Sequence, residues 1–216
     1  RKRETRWRKI KTNIISLKKL IEISGEKKTQ ELISIFICKK DEDIEAFLKE
    51  KSVYFEKIGK SRTFFIFDEE SDTFKILAYF TLAIQVLRLP KKMLSGRKIK
   101  DLDGFGSKIN GELISEFPVI LIGQFSKNDS FSKEISGEEI MQYCFATILE
   151  GQLKLGGRIV MLECKNVPYL LEFYKKFGFY VIDKDYKDNE LLQLVRIFNE
   201  EEIKWFLDRI NKINKK

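Results

Sequence analysis

The chain has 216 residues, 43% hydrophobic and 34% charged, enough for one sizeable domain with its own core. It carries a formal net charge of +8 and has no histidine, which excludes Ser-His and Cys-His nucleophile systems and argues against an ordinary zinc site. Three well-separated cysteines, Cys38, Cys144 and Cys164, show no metal spacing and read as reduced thiols of a cytoplasmic protein, with no metal expected.

Residues 1–28 hold eleven Lys and Arg against three acids, and the remaining thirty basic and thirty acidic residues cancel. The basic surplus is therefore read as a leader or leader helix over residues 1–30, either solvated or in contact with nucleic acid or an acidic partner. The first stretch is basic without a following apolar core, which is not the pattern of a signal peptide. No membrane is expected, because no apolar run approaches the roughly 18–20 residues a spanning helix needs. Within the leader, Ile14, Leu17 and Ile21 suit a short amphipathic helix over residues 13–23, ended by Gly25. Residues 31–38, rich in Ile and Phe, read as a strand. Asp41 is placed to cap a helix burying Ile44, Phe47 and Leu48, and Val53, Phe55 and Ile58 suggest a further helical turn before Gly59.

Residues 62–67 and 73–87 form a hairpin around the polar turn at residues 68–72. Residues 90–116 contain Pro90, four glycines and alternating charges, and read as an irregular insertion or flap. Residues 117–125 are a buried strand interrupted by Gly123, a position for a bulge or a close backbone approach. A polar loop at 126–137 leads into a helix over 138–155, which Gly156 and Gly157 stop. Residues 158–164 form a strand, and Pro168 opens a helix presenting Leu170, Phe173, Tyr174 and Phe177 before Gly178. Residues 179–183 and 191–198 are two final strands around a charged turn. Asn199 with Glu202 resembles a capping box for a last helix carrying Ile203, Phe206, Leu207, Ile210 and Ile213. The order implies one α/β domain over residues 31–198, with a mixed, mostly antiparallel sheet flanked by helices, and a C-terminal helix over 199–216 packed on it.

The strand at 158–164 followed by Leu171-Glu-Phe-Tyr174-Lys-Lys-Phe-Gly178-Phe179 resembles the last conserved block of the GNAT superfamily of N-acetyltransferases. The element order from about residue 31 to 198 is similar too. The resemblance implies the GNAT-like acyl-CoA N-acyltransferase fold, acetyl-CoA as the acyl donor, and Tyr174 as the general acid for the leaving CoA thiolate. A phenol with pKa near 10 is a sound donor to such a thiolate. Periodicity alone leaves Tyr174 equally readable as one more aromatic on the face with Phe173 and Phe177.

The resemblance also implies a CoA site on the strand and loop before the long helix, in the cleft between the strands at 119–125 and 158–164. Backbone of Gly123, Gln124 and Phe125 would meet the pantetheine arm. Ser126, Ile135, Ser136, Gly137 and Glu138 would lie at the pyrophosphate, with Lys127 and Lys133 adding charge. The family's Gln/Arg-x-x-Gly-x-Gly/Ala signature is not kept. With Gly137 as its last glycine, Ser132 and Ile135 take the Arg/Gln and first-glycine places, and Ile140 with Met141 match the paired leucines that follow. With Gly137 as the first glycine, Glu134 and Glu139 take the outer places. Asn166 lies one residue before the family's asparagine position, which Val167 occupies.

For a general base, Glu163 and Glu116 are both candidates as strand-end carboxylates. Cys164 as an acyl-carrying nucleophile is an alternative to direct transfer in a ternary complex. Three functions remain open: an acetyl-CoA-dependent N-acetyltransferase acting on an amine-bearing acceptor, an inactive GNAT-fold binding module, and an RNA- or ribosome-directed, toxin-like acetyltransferase.

Overall fold

The computed structural model of the chain describes residues 11–182 and 191–204. Its elements in order are β1 (Thr12–Ser16), α1 (Leu17–Ser24), α2 (Glu26–Ser34), α3 (Glu42–Ala46), a π-helical turn (Phe47–Lys51) and α4 (Ser52–Lys57). Then come β2 (Arg62–Asp68), β3 (Ile76–Arg88), a 3₁₀ turn (Lys91–Met93), α5 (Gly96–Asp103), β4 (Lys108–Ile109), β5 (Glu112–Leu113) and β6 (Glu116–Lys127). A second 3₁₀ turn (Asp129–Phe131), α6 (Gly137–Leu155), β7 (Ile159–Cys164), α7 (Pro168–Lys176), β8 (Tyr180–Val181) and β9 (Leu192–Ile197) follow. Residues 200–204 begin another helix.

Seven strands make one mixed sheet in the order β1-β2-β3-β6-β7-β9-β8, and β4 with β5 forms a separate hairpin. The β6–β7 pair is parallel, whereas β1–β2, β7–β9 and β8–β9 are antiparallel. A parallel pair needs a long crossover, and α6 supplies it. This is the mixed α/β architecture read from the sequence. The chain divides into two compact units, residues 1–81 with 124–144, and residues 82–123 with 145–216.

In the first unit the expected helix over 13–23 is half strand. Ile14 and Ile15, both β-branched, pair with Ile66 and Phe65 of β2. Ser16 then caps α1, its hydroxyl accepting from the Lys19 N–H at 3.1 Å. The apolar spacing had been counted across that boundary. The expected strand at 31–38 is not a strand either, since residues 31–34 are the end of α2. Thr29, Ile33 and Phe36 fall at helical spacing and are buried together with Leu17, Leu20, Leu48 and Phe65. A short apolar run fits a buried helix as well as a strand. Much of the segment expected as a leader thus supplies β1, α1 and part of α2. Asp41 does stand at the N-cap of α3, although its side chain makes no capping bond there. Tyr79 crosses this core edge-on to Phe36 at 5.2 Å, and its hydroxyl donates to the Ile44 carbonyl at 2.5 Å.

Where β6 ends, Asn128 is buried and bonded through its N–H, Nδ2 and Oδ1. Its N–H donates to Leu77 O at 2.8 Å, and Nδ2 donates to Ile76 O at 3.0 Å. Oδ1 accepts from the N–H groups of Ser130 at 3.1 Å and Ile37 at 3.4 Å. Asp129 continues the clamp, its N–H donating to Ile37 O at 2.8 Å and its carboxylate accepting from Lys39 N–H at 2.7 Å.

In the second unit the segment 90–116, expected as an irregular insertion or flap, contains a helix and a short hairpin. Ser95 caps α5, Gly104 ends it in the left-handed conformation, and Ile99 and Leu102 are buried. They pack with Leu87, Phe117, Ile159, Met161 and Val195. The glycines marked the turns of this segment and hid its two-residue apolar anchor. Elsewhere, Arg196 of β9 lies against the rings of Phe145 and Phe198, 4.5 and 4.4 Å from their centroids, and the two rings meet edge-on at 5.0 Å. It donates to Phe177 O and pairs with Glu202 at 2.6 Å. Burial pulls its pKa down, and Glu202 opposes that. Asn199 and Glu202 form the expected capping box in both directions, at 3.0 and 2.8 Å. The expected turn at 184–190 and the residues of the last helix from 205 onward lie outside the described residues.

Asn128→Ala should leave the Ile76 carbonyl and the Ile37 and Ser130 N–H groups without their side-chain partner. Unmet buried bonds of this kind cost about 1–3 kcal/mol each, with partial relief from water. We expect a loss of about 2–4 kcal/mol in urea unfolding, and an unchanged midpoint would show that the clamp adds nothing.

Candidate active site

The loop before α6 and the first turn of that helix belong to one unit. Ser136 and Glu139 form a capping box. The Glu139 carboxylate accepts from the Ser136 N–H and hydroxyl, both at 2.9 Å, and the Glu139 N–H donates to Ser136 Oγ at 3.1 Å. Ile140 N–H bonds Ser136 O. The first-turn donors outside this box are the N–H groups of Gly137 and Glu138, at the positive end of a 19-residue helix. They suit an anionic phosphate. Ile135, in the first-glycine place, is buried and anchors the loop from beneath. Lys127 reaches back across the loop to Ser132 O at 3.0 Å, while Lys133 and Glu138 are exposed. The Ser126 hydroxyl donates to Cys38 Sγ at 3.2 Å. Gln124 and Phe125 are half-buried on the last stretch of β6.

In the other unit, β6 registers with β7 from Val119↔Ile159 to Ile122↔Leu162. Both strands continue past that register. Gly123 and Glu163, the next residue on each strand, are exposed. Glu163 accepts from Gln193 Nε2 at 2.9 Å, its cross-strand partner on β9. Glu116 is seven residues before Gly123, about 23 Å at 3.3 Å per strand residue, and is ion-paired with Arg88 at 2.8 Å. Of the two base candidates, only Glu163 lies at the end of the β6–β7 ladder.

Tyr174 sits in the last turns of α7, 9% exposed, edge-on to Phe173 at 5.2 Å and to Phe179 at 6.0 Å. Its carbonyl accepts from the N–H groups of Phe177 and Phe179, and Gly178 makes the turn with φ 76°. Phe173 and Phe177 are only half-buried, so Tyr174 is the inward residue of that face. Val167, not Asn166, is the N-cap of α7, and it gives no side-chain capping bond. Asn166 is exposed one residue earlier.

The sequence reading missed the Ser136–Glu139 box, although Ser-x-x-Glu before an apolar run is its usual signal. It also missed Asn128 and Arg196, whose partners are distant in sequence and carry no local signal.

The chain matches no protein-family model and no curated protein sequence. Solved structures do match in fold. A bacterial toxin matches with TM-score 0.64 at 14% identity, over 94% of this chain and 96% of that one. AtaT complexed with acetyl-methionyl-tRNAfMet matches with TM-score 0.62 at 15% identity, over 91% and 99%. A tyrosine-to-phenylalanine mutant of KacT matches with TM-score 0.61 at 16% identity, over 90% and 98%. The fold expected from the resemblance, that of the GNAT acetyltransferases, is the fold of this chain.

Cys164 is a poor nucleophile here. It is buried, and burial pushes its thiol up to about 11, leaving only about 0.03% thiolate at pH 7.5. Mass mapping after iodoacetamide should find Cys164 unmodified at pH 7.5, with labelling rising only toward pH 11. Rapid labelling at neutral pH would reopen the covalent route.

Proposed function

We propose that the chain is an acetyl-CoA-dependent N-acetyltransferase that transfers its acetyl group directly to an amine. The observation that carries the reading is the parallel β6–β7 pair whose register stops at Ile122↔Leu162 while both strands run on, in a fold matching acetyl-CoA-bound AtaTR over 91% of this chain. A strand released from its neighbour has backbone donors for a pantetheine arm and a thioester carbonyl, and fixed donors of this kind stabilise a developing oxyanion. In this reading Gly123, Gln124 and Phe125 supply that backbone. Gly137 and Glu138 N–H groups, with Ser126, Ser136, Lys127 and Lys133 around them, take the pyrophosphate above the Ile135 anchor.

The amine attacks the thioester carbon, the C–S bond breaks as the tetrahedral adduct collapses, and the sulfur receives a proton from Tyr174. Glu163, through water, takes the proton that the amine loses. With histidine absent, proton transfer falls to Tyr, Glu, Asp, Lys, Cys or water, and a phenol with a carboxylate fits within that set. Asn166, exposed just before α7, is kept as a cofactor-binding residue. Three free cysteines agree with a cytoplasmic setting, and no helix among the described residues is long and apolar enough to cross a membrane.

We take the acceptor to be an amino group carried on RNA. AtaT was captured with acetyl-methionyl-tRNAfMet, and the +8 charge of this chain suits a polyanion. A second reading, a GNAT-fold binding module without activity, has one specific support. Glu139 holds the Ser136 N–H and puts a carboxylate where phosphates would lie.

Two variants separate these readings. Tyr174→Phe keeps the ring against Phe173 and Phe179 and removes only the donor, so turnover should fall roughly 10²–10⁴-fold with acetyl-CoA affinity nearly unchanged. Near-wild-type turnover with a genuine acceptor would show that Tyr174 is only packing. Glu139→Gln keeps a capping-box side chain while deleting one negative charge. Calorimetry should then give acetyl-CoA binding about two- to fivefold tighter, the size of one screened surface charge. No binding of acetyl-CoA at millimolar concentration by either form leaves the inactive module.

A further inference from the structure

We infer that α5 and its flanks form an RNA-docking surface, which binds the phosphate backbone through Lys91, Arg97, Lys100 and Lys108 and stacks an unpaired base on Phe105. The whole-chain arithmetic hides this patch, because the sequence beyond residue 28 sums to zero. Residues 88–108 nevertheless hold seven Lys and Arg against two Asp. Five of the seven are surplus within a stretch that folds back on itself. A Cβ built on Gly96, at the start of α5, would lie 3.8 Å from Ser107 Oγ. The Arg158 guanidinium lies against Gly104, at the other end of the helix, and adds a further positive charge.

The disposition of the side chains selects for an external anion. Ile99 and Leu102 point into the core, which turns Arg97 and Lys100, three residues apart, toward solvent. Lys91, Arg97, Lys100 and Lys108 are exposed and have no ion pair among the described residues, although Asp101 stands four places from Arg97. Asp103 is engaged otherwise. Its carboxylate accepts from the N–H groups of Phe105 and Gly106, at 3.2 and 2.8 Å. That turn presents the Phe105 ring 97% exposed. An exposed aromatic in the turn after a helix carrying unpaired cations suits a single-stranded or looped nucleic acid, because bases stack on the ring while phosphates meet the charges. An acidic protein or an anionic membrane would use the same charges, and could bury Phe105 with the exposed Ile109 and Leu113. RNA is chosen because its bases and phosphates use ring and cations together, and the vesicle arm of the test separates RNA from membrane.

The proposal rests on the reading that the acceptor is RNA-borne, yet it concerns binding and not transfer. It is therefore tested with the full chain and a deacylated tRNA transcript, by fluorescence anisotropy across a salt series. The quadruple variant Lys91→Ala, Arg97→Ala, Lys100→Ala, Lys108→Ala should lose on the order of 100-fold in affinity at 0.1 M salt. The slope of log K against log salt should shrink by about 3, at roughly 0.7–0.9 per lost contact. The three lysine-to-arginine changes should retain binding. Phe105→Ala should cost roughly 5- to 150-fold on a transcript with an unpaired end, with Phe105→Trp restoring it. Circular dichroism and the melting temperature of these surface variants should match wild type. Wild-type affinity and slope in the quadruple variant overturn the proposal, as does wild-type binding to 3:1 phosphatidylcholine–phosphatidylserine vesicles that exceeds its binding to RNA. RNA binding that persists in a chain lacking acetyltransferase activity sustains it and sinks only the enzymatic reading.

Discussion

The end of β6 is where the chain must solve its hardest backbone problem. A long buried strand has to leave the sheet and turn toward a helix, and every N–H and C=O released on the way needs a partner. Asn128 meets that need with one side chain and one N–H, bonded to Ile76, Leu77, Ile37 and Ser130. An amide is suited to the position because it donates and accepts at once. With Asp129 holding Lys39 and Ile37, the loop after the strand is pinned at its base. Ile135 pins its far end and Ser136 starts α6 there. The helix N-terminus, with its two uncommitted donors, therefore projects from a rigid support. Preorganised donors are the kind that help to bind and activate an anionic substrate.

The second unit fixes α7 by a different device. Arg196 fills the space among Phe145, Phe198 and the Phe177 carbonyl, with Glu202 as its counter-charge. Burying one guanidinium would be costly alone, and the ion pair, the carbonyl and two aromatic faces offset that cost. The carbonyl it holds lies in the turn that follows Tyr174. Phe177, Gly178 and Phe179 are thereby set in place, and Phe179 in turn packs on the Tyr174 ring. If Tyr174 acts as the proposed proton donor to a leaving sulfur, such restraint serves it, because proton transfer tolerates little misplacement.

What the sequence revealed follows from which interactions are local. The hairpin of β2 and β3, the helix α6, and the strand–helix–Gly178 block were legible because periodicity, Pro168 and the glycines are short-range signals. The run at 31–38 misled because Ile and Phe satisfy strand propensity and a buried helix end alike, and Thr29 and Leu17 decided between them from outside the run. Residues 90–116 misled for the opposite reason: four glycines and many charges outweighed Ile99 and Leu102, the two residues that anchor α5. At the candidate site, resemblance alone pointed to Tyr174, and period counting left its inward position open. Ser136 was expected to meet phosphate, and its bond to Glu139 was not foreseen, since the choice between capping and ligand is made by geometry and not by residue type. Glu163 and Glu116 were indistinguishable as strand-end carboxylates until the β6–β7 register put one at the end of the ladder and the other at the far end of β6, about 23 Å away at 3.3 Å per residue.

The charge pattern shows the same limit of local reading in a more consequential form. Summed over long windows, the chain is basic at its N-terminus and neutral elsewhere. Much of that basic segment is folded, however: Lys18 and Lys19 belong to α1, and Lys27 and Lys28 to α2. A structured helix keeps its lysines apart, on one exposed face, while its Leu and Ile residues go into the core. The neutral remainder, in turn, is not uniform. Its acids are dense in α3 and the 68–72 turn, whereas residues 88–108 are positive. Net charge governs how far away a polyanion is felt, whereas unpaired cations beside an exposed ring govern where it stops. Under the proposed docking, net charge would supply attraction from a distance and α5 the place of contact.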